Sequence, residues 1–542
     1  MRLNSRETEN LDAWRRAGFV VPGFDREKAA ANAKTRPAWV HFGAGNIFRA
    51  FPASRWQQLL DAGYEDTGII VAEGFDYEII DAVFKPCDNL SVSVTLKAGG
   101  DIKKTLVASI VEALKLEPGH PDFERLREVF RAPSLRMASF TITEKGYSLK
   151  QGDALARPVL ADFEQGPAKA QSYIGKVTAL LYERFLAGGP PIAMVSLDNC
   201  SHNGDRLFEA VGAFAGKWAE KGLTDAGFPG YVGNPELVSF PWSMIDKITP
   251  RPDPEVQKML AAAGLEGIEP VTTGKFTYVA PFVNAEETEY LVIEDRFPNG
   301  RPAFDRVGVS FTDRATVDKV ERMKVCTCLN PLHLSLAMFG CPLGFKKISQ
   351  AMQDPDLRRL VEIVGYDEGL PVVTDPGIIN PKAFLDEVLN VRFPNPFMPD
   401  TPQRIACDLS QKLGIRFGET IKTYQAREDL RVDDLVLIPL SMAAWFRYLL
   451  GVDDDGKPFE VSPDPRREEV EGHLKGIKLG DAGPFHEQLR PALSDASLFA
   501  VDLYQAGLGE RIEGYFAELT AGAGAVRKTL HKYVTANRRR GS

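Results

Sequence analysis

Residues Val40–Ala50 read VHFGAGNIFRA, and the order of chemistry along them decides the N-terminal fold. A β-branched and aromatic run ends at Phe42, Gly43-x-Gly45 makes a turn, and Asn46-Ile47-Phe48 opens a helix. In such a strand-turn-helix Gly43 permits the tight turn and Gly45 lets the backbone approach a pyrophosphate. The free N–H groups and dipole of the helix start then stabilise that anion. Phe48 stands where a full dinucleotide fingerprint carries its third glycine, so the stretch alone also fits a plain strand-turn-helix.

The next strand weighs the balance toward a dinucleotide. GIIVAEGFD carries Glu73 and Asp76, 28 and 31 residues beyond Gly45, somewhat past the usual distance, roughly 20 residues, of the carboxylate that grips the ribose 2′-hydroxyl. The long first helix accounts for the spacing. A carboxylate there repels a 2′-phosphate and no arginine stands beside it, so NAD is expected rather than NADP. Strand candidates AWVHFG, GIIVAEG, Ser91–Leu96, Met137–Thr143 and Ile192–Leu197 alternate with helical patterns over 47–62 and 77–84. That alternation predicts an α/β N-terminal domain, a Rossmann-type doubly wound sheet.

From about Asp313 the pattern changes to long helical periods, predicting a mainly α-helical C-terminal domain. Pro and Gly punctuate RFPNGRPAFDR (296–306), which sets the expected domains at 1–300 and 301–542. In an enzyme so built the site is expected in the cleft between a cofactor domain and a helical substrate domain.

A chain of 542 residues exceeds one ordinary core. Its 65 basic against 74 acidic residues (net charge -9) give no basic field for nucleic acid or an anionic membrane. The compact basic run Arg538-Arg539-Arg540 reads as a solvated tail. No export signal is evident, and the apolar run 435–450 contains Pro439 and Arg447 and is shorter than the roughly 20 residues a bilayer needs. It is expected as a buried helix. Six scattered cysteines make no disulfide framework, which suits the cytoplasm.

The stretch KVCTCLNPLH (324–333) could be half a metal site or a proton-transfer lysine flanked by hydrogen-bonding side chains. Zinc wants three or four ligands, and Cys326 and Cys328 on a helix point about 200° apart, so no metal is expected and the cysteines read as packing residues.

Taken in order, HFGAGNIFRA, TITEKGY (141–147), SLDNCSHNG (196–204), MIDKITP (244–250), YLVIEDRFPNGRP (290–302), MKVCTCLNPLH and RFPNP (392–396) resemble the long-chain mannitol dehydrogenase family. That family holds polyol dehydrogenases, fructuronate reductases and tagaturonate reductases. The resemblance implies an NAD-dependent, metal-independent oxidoreductase that moves hydride between nicotinamide and a secondary alcohol of an open-chain sugar acid, D-mannonate and D-fructuronate first. Mannitol or another polyol stands next, then tagaturonate, and a non-catalytic NAD- or sugar-sensing protein is the alternative of another class. A small-molecule partner and a monomer or small homo-oligomer are expected.

By the same resemblance Lys324 matches the general base, Asn330 and Asn199 the amides that hold the developing alkoxide, and His333 the residue that positions the substrate oxygen. Asp246 matches a proton relay and Arg392 a substrate contact. The expected cofactor residues are Gly43, Gly45, Asn46, Ile47, Phe48, Glu73, Asp76 and Thr143.

Two departures from the family pattern matter. Five residues, VCTCL, separate Lys324 from Asn330 where the family commonly has four. On an ideal helix Lys324 would then lie about 120° from Asn330 and about 180° from His333. Pro331 removes the hydrogen bond to residue 327, so a kink or π-bulge is expected at 327–329 to turn the lysine back. Second, Phe397-Met398-Pro399 replaces a basic residue after RFPNP, leaving Lys145, Lys275 and Arg392 as cations for a substrate carboxylate.

Overall fold

The computed structural model describes residues 1–481 and 483–537; the run Arg538-Arg539-Arg540 lies outside them. The chain forms two compact units, Met1–Asp318 and Lys319–Ser542.

In the first unit six strands form one parallel sheet: β1 (Trp39–Phe42), β2 (Ile69–Glu73), β3 (Ile110–Lys115), β4 (Met137–Phe140), β5 (Ile192–Ser196) and β6 (Val238–Ser239). Their order is β3-β2-β1-β4-β5-β6, and every neighbouring pair is parallel. This is the Rossmann order, with its topological switch point between β1 and β4. Successive residues alternate between two cores: Val40, Ile70, Ala138 and Met194 face one, and Trp39, Ile69, Met137 and Ala193 the other. A sheet covered on both faces explains why these strands read as unbroken apolar runs.

The predicted helix over 47–62 is two helices, Asn46–Ala50 and Pro52–Asp61. Pro52 has no N–H to continue the first one, and instead starts the second. The expected strand Ser91–Leu96 forms but belongs to another sheet, antiparallel to Ile102–Val107 and parallel to Phe282–Glu286. After the Pro/Gly stretch at 296–306 the chain returns to the first unit. Strand β9 (Ser310–Thr312) pairs with β8 (Tyr290–Glu294), which pairs with β7 (Ser243–Asp246). The two units divide inside the helix Arg314–Arg322.

The second unit is helical. The apolar run near 435–450 is the helix Leu437–Leu449, every residue of it buried. Among the described residues no helix is long and apolar enough to cross a membrane. Glu368 starts this helix. Its Oε1 accepts the N–H of Val436 at 2.8 Å and of Leu437 at 2.7 Å, and its Oε2 that of Ile438 at 2.8 Å. Three donors that a helix start leaves unpaired are thereby satisfied by one buried side chain.

Burial pushes the Glu368 carboxyl up to about 7, against the pull of those three donors. Because the folded value lies above the unfolded 4.5, the fold binds this proton more tightly. The stability it contributes is full below the unfolded value and is lost as pH rises through the folded one. Denaturant unfolding is expected to show a loss of about 3 kcal/mol over that window that Glu368→Gln does not share.

Candidate active site

The turn after β1 is shaped by a close approach. Gly43 has φ +109°, and a Cβ built there would stand 2.2 Å from the Thr141 carbonyl oxygen at the end of β4, so only glycine fits. A Cβ at Gly45 would meet no atom within 4 Å, so the backbone at this helix start, at the switch point, lies open to a bound group. The residues fit a dinucleotide there.

Glu73, at the end of β2, is buried and accepts the N–H of Ala44 at 2.9 Å on Oε2 and those of Phe75 (2.7 Å) and Asp76 (3.0 Å) on Oε1. It ties the glycine turn to its own strand end and keeps a lone pair on Oε2. Asp76 is buried and accepts the Thr273 hydroxyl at 2.6 Å. Asn46 joins the glycine helix to MIDKITP: its amide donates to the Pro250 carbonyl at 3.4 Å while its oxygen accepts from Arg49 at 2.9 Å. Ile47 is half-buried. Phe48 is fully buried and stacks on His41 at 3.7 Å, serving the core.

At the end of β5 Asp198 holds the TITEKGY loop. Its carboxylate accepts the N–H of Ile142 (2.8 Å) and Thr143 (2.9 Å) and the Tyr147 hydroxyl (2.5 Å). Burial raises its carboxyl above the ordinary value, opposed by Tyr147 and the two N–H groups. Thr143 is exposed and sits at φ +64°, a strained conformation for a β-branched residue. Asn199 follows and is exposed.

Asn203 ties SLDNCSHNG to β7. Its amide donates to the Asp198 and Ser243 carbonyls, both at 3.0 Å, and its oxygen accepts the Ser243 N–H at 3.0 Å. Asp246 ends β7, buried. Asp198 and Asn203 were not among the expected site residues. Polar side chains just past an apolar strand were the available signal, because buried polar groups there must be hydrogen-bonded.

In the second unit the expected bulge is present. Residues Met323–Cys328 form a π turn, and the Leu329 N–H reaches the Lys324 carbonyl, five residues back, at 3.1 Å. The helix Asn330–Gly340 follows with Pro331 in its first turn. One residue absorbed this way returns His333 to the phase of eight α-helical steps from Lys324, about 80° away instead of about 180°. Lys324 is buried, while Asn330 and His333 are half-buried.

Arg392 is buried and ends another π turn, Val388–Arg392, closed by the Phe393 N–H on the Val388 carbonyl at 3.0 Å. The next residue, Phe393, stacks on His333 at 4.3 Å, so RFPNP and NPLH meet. Cys326 and Cys328 are buried in the first π turn, and burial pushes the Cys328 thiol up to about 12, which keeps it protonated. Of the other expected cations, Lys145 is exposed, and Lys275 donates to the Phe75 carbonyl beyond β2.

Comparison with known proteins finds two family domains in succession along the chain. The mannitol dehydrogenase Rossmann domain matches residues 37–306 and the mannitol dehydrogenase C-terminal domain residues 316–520. The chain belongs to the mannitol dehydrogenase family.

Within this family of oxidoreductases it is 53% identical to the D-mannonate oxidoreductase of Thermotoga maritima over 537 residues, 98% of this chain and 99% of that protein. It is 30% identical to the polyol:NADP oxidoreductase of Gluconobacter oxydans over 84% of this chain and 87% of that one. Mannitol 2-dehydrogenase of Pseudomonas fluorescens, solved as a ternary complex with NAD and D-mannitol, superimposes with TM-score 0.70 at 25% identity, covering 99% of this chain and 100% of that chain. The expected Rossmann-type domain, helical second domain and family all hold in this mannitol dehydrogenase relative.

Asn203→Ala removes the hydrogen bonds of a buried amide to Ser196, Asp198 and Ser243 and orphans the Ser243 N–H. Denaturant unfolding is expected to show a loss of about 3 kcal/mol.

Proposed function

We propose that this protein oxidises D-mannonate to D-fructuronate with NAD and catalyses the reverse reduction. The observation that carries the substrate is the 53% identity, along 98% of the chain, to a protein named for D-mannonate. NAD fits the turn from Gly43 to Phe48, with Thr143 and the carboxylates Glu73 and Asp76 near it, since negative charge at the ribose opposes a 2′-phosphate. When bound it supplies the two-electron acceptor for the alcohol.

Lys324 takes the hydroxyl proton during oxidation and returns it during reduction. Its burial on a π turn supports that role, because such turns concentrate at functional sites. Asn199 and Asn330 donate N–H groups to the oxygen as it gains charge, in the manner of an oxyanion hole. His333 orients the hydroxyl, its ring steadied by Phe393. Asp246 is the proton relay. Arg392 is the cation for the substrate carboxylate, a role for which its fixed planar donors suit it. The same reading includes a cytoplasmic location, which six free cysteines suit. It also includes a small-molecule partner, no nucleic acid, and a monomer or small homo-oligomer.

Following NADH absorbance with D-fructuronate, D-tagaturonate and D-fructose tests the substrate. Fructuronate is expected to be turned over; fructose without either uronate would make the protein a polyol dehydrogenase, and NADH binding without turnover a sensing protein. Lys324→Ala is expected to lower kcat by at least about a hundredfold with NADH affinity unchanged.

A further inference from the structure

Just past the ribose carboxylate lies a surface that the roles above leave unused. Phe75 follows Glu73 by two residues, gives its N–H to that carboxylate, and is 63% exposed. A β-hairpin, Val271–Thr272 paired with Tyr278–Val279, is pinned over this loop. Its turn makes three bonds to it: the Thr273 hydroxyl to Asp76 at 2.6 Å, the Gly274 N–H to Glu78 at 2.8 Å, and the Lys275 ammonium to the Phe75 carbonyl at 2.5 Å.

Lys275 also stands 4.6 Å from the centroid of the Phe75 ring. One ring face is thus covered by a cation, and the exposure of the residue leaves the other face to a flat partner. The hairpin tip holds Phe276 at φ +61° and 89% exposed, an uncommon conformation for an aromatic residue. Two exposed aromatic rings in one small region point to a ligand surface.

We infer that Phe75, backed by Lys275, is the adenine-binding face of the dinucleotide site. The inference rests on the NAD reading. A carboxylate at the end of β2 takes the adenosine ribose, and adenine is joined to that ribose, so its ring falls beside the residues that follow Glu73. Every base offers a π-face, and stacking on an aromatic side chain is the general way a protein holds one. The bonds from Asp76, Glu78 and the Phe75 carbonyl to the hairpin hold that face in place before the cofactor arrives.

Titration of the full-length protein with NADH and with reduced nicotinamide mononucleotide, which lacks the adenosine, tests this. Phe75→Ser is expected to weaken NADH about tenfold, leave the mononucleotide unchanged, and keep the thermal midpoint of the free protein. Equal weakening of both ligands, or none, overturns the inference. So does a variant with unchanged NADH affinity and a smaller particle in light scattering, which would make Phe75 a subunit contact. A wild type that fails to bind NADH overturns the NAD reading as well, a result distinct from a wild type and a variant that bind alike.

Discussion

The turn after β1 and the end of β4 come so near each other that the Thr141 carbonyl fills the place of a side chain at Gly43. Neighbouring parallel strands whose connections leave in opposite directions must part above this point, and the crevice they leave is where a Rossmann sheet binds its ligand. Everything around it serves to hold the loops at that spacing. Glu73 ties the glycine turn to β2, and Asp198 ties the loop after β4 to β5. Asn203 carries the chain of contacts on to β7, where Asp246 ends the strand.

These ties share one physical form: a buried polar side chain takes backbone N–H groups that irregular structure would otherwise leave unpaired. Loops cannot satisfy their own backbone as helices and strands do, so a buried loop needs such a partner. Glu368 does the same in the second unit for the start of the helix Leu437–Leu449. That helix in turn bonds to the one bearing Asn330 and His333, through Ser441 and Ser335 at 2.9 Å.

The helical unit solves a different problem, that of aiming side chains from helices whose residue count does not suit the α period. Lys324 and Arg392 both lie on π turns, each closed by an N–H reaching five residues back. The extra residue in VCTCL is absorbed in this way, and the stack of Phe393 on His333 joins the two segments. A wider turn weakens local hydrogen bonding, and the burial of most residues of the first turn and of Val388, Leu389 and Arg392 in the second offsets that cost.

Much of the fold was legible in the sequence because it rests on local chemistry. Apolar runs of strand length, glycines at one turn, and the change from alternating to helical periods specify an α/β unit followed by a helical one. That a bulge lies between Lys324 and Asn330 was legible too, from a count of residues, but its place at Met323–Cys328, ahead of the turn that Pro331 interrupts, was not. Sheet membership of Ser91–Leu96 and the work of Asp198, Asn203 and Phe393 were not. Each depends on a partner dozens to hundreds of residues away, and pairing across that distance is set by packing of the whole unit. The sequence by itself determined the elements, the family and the residue types that chemistry needs. Only the tertiary structure decided which carboxylates are spent on backbone N–H groups and that Lys324 is buried, because burial and hydrogen-bond partners exist only once the chain is folded.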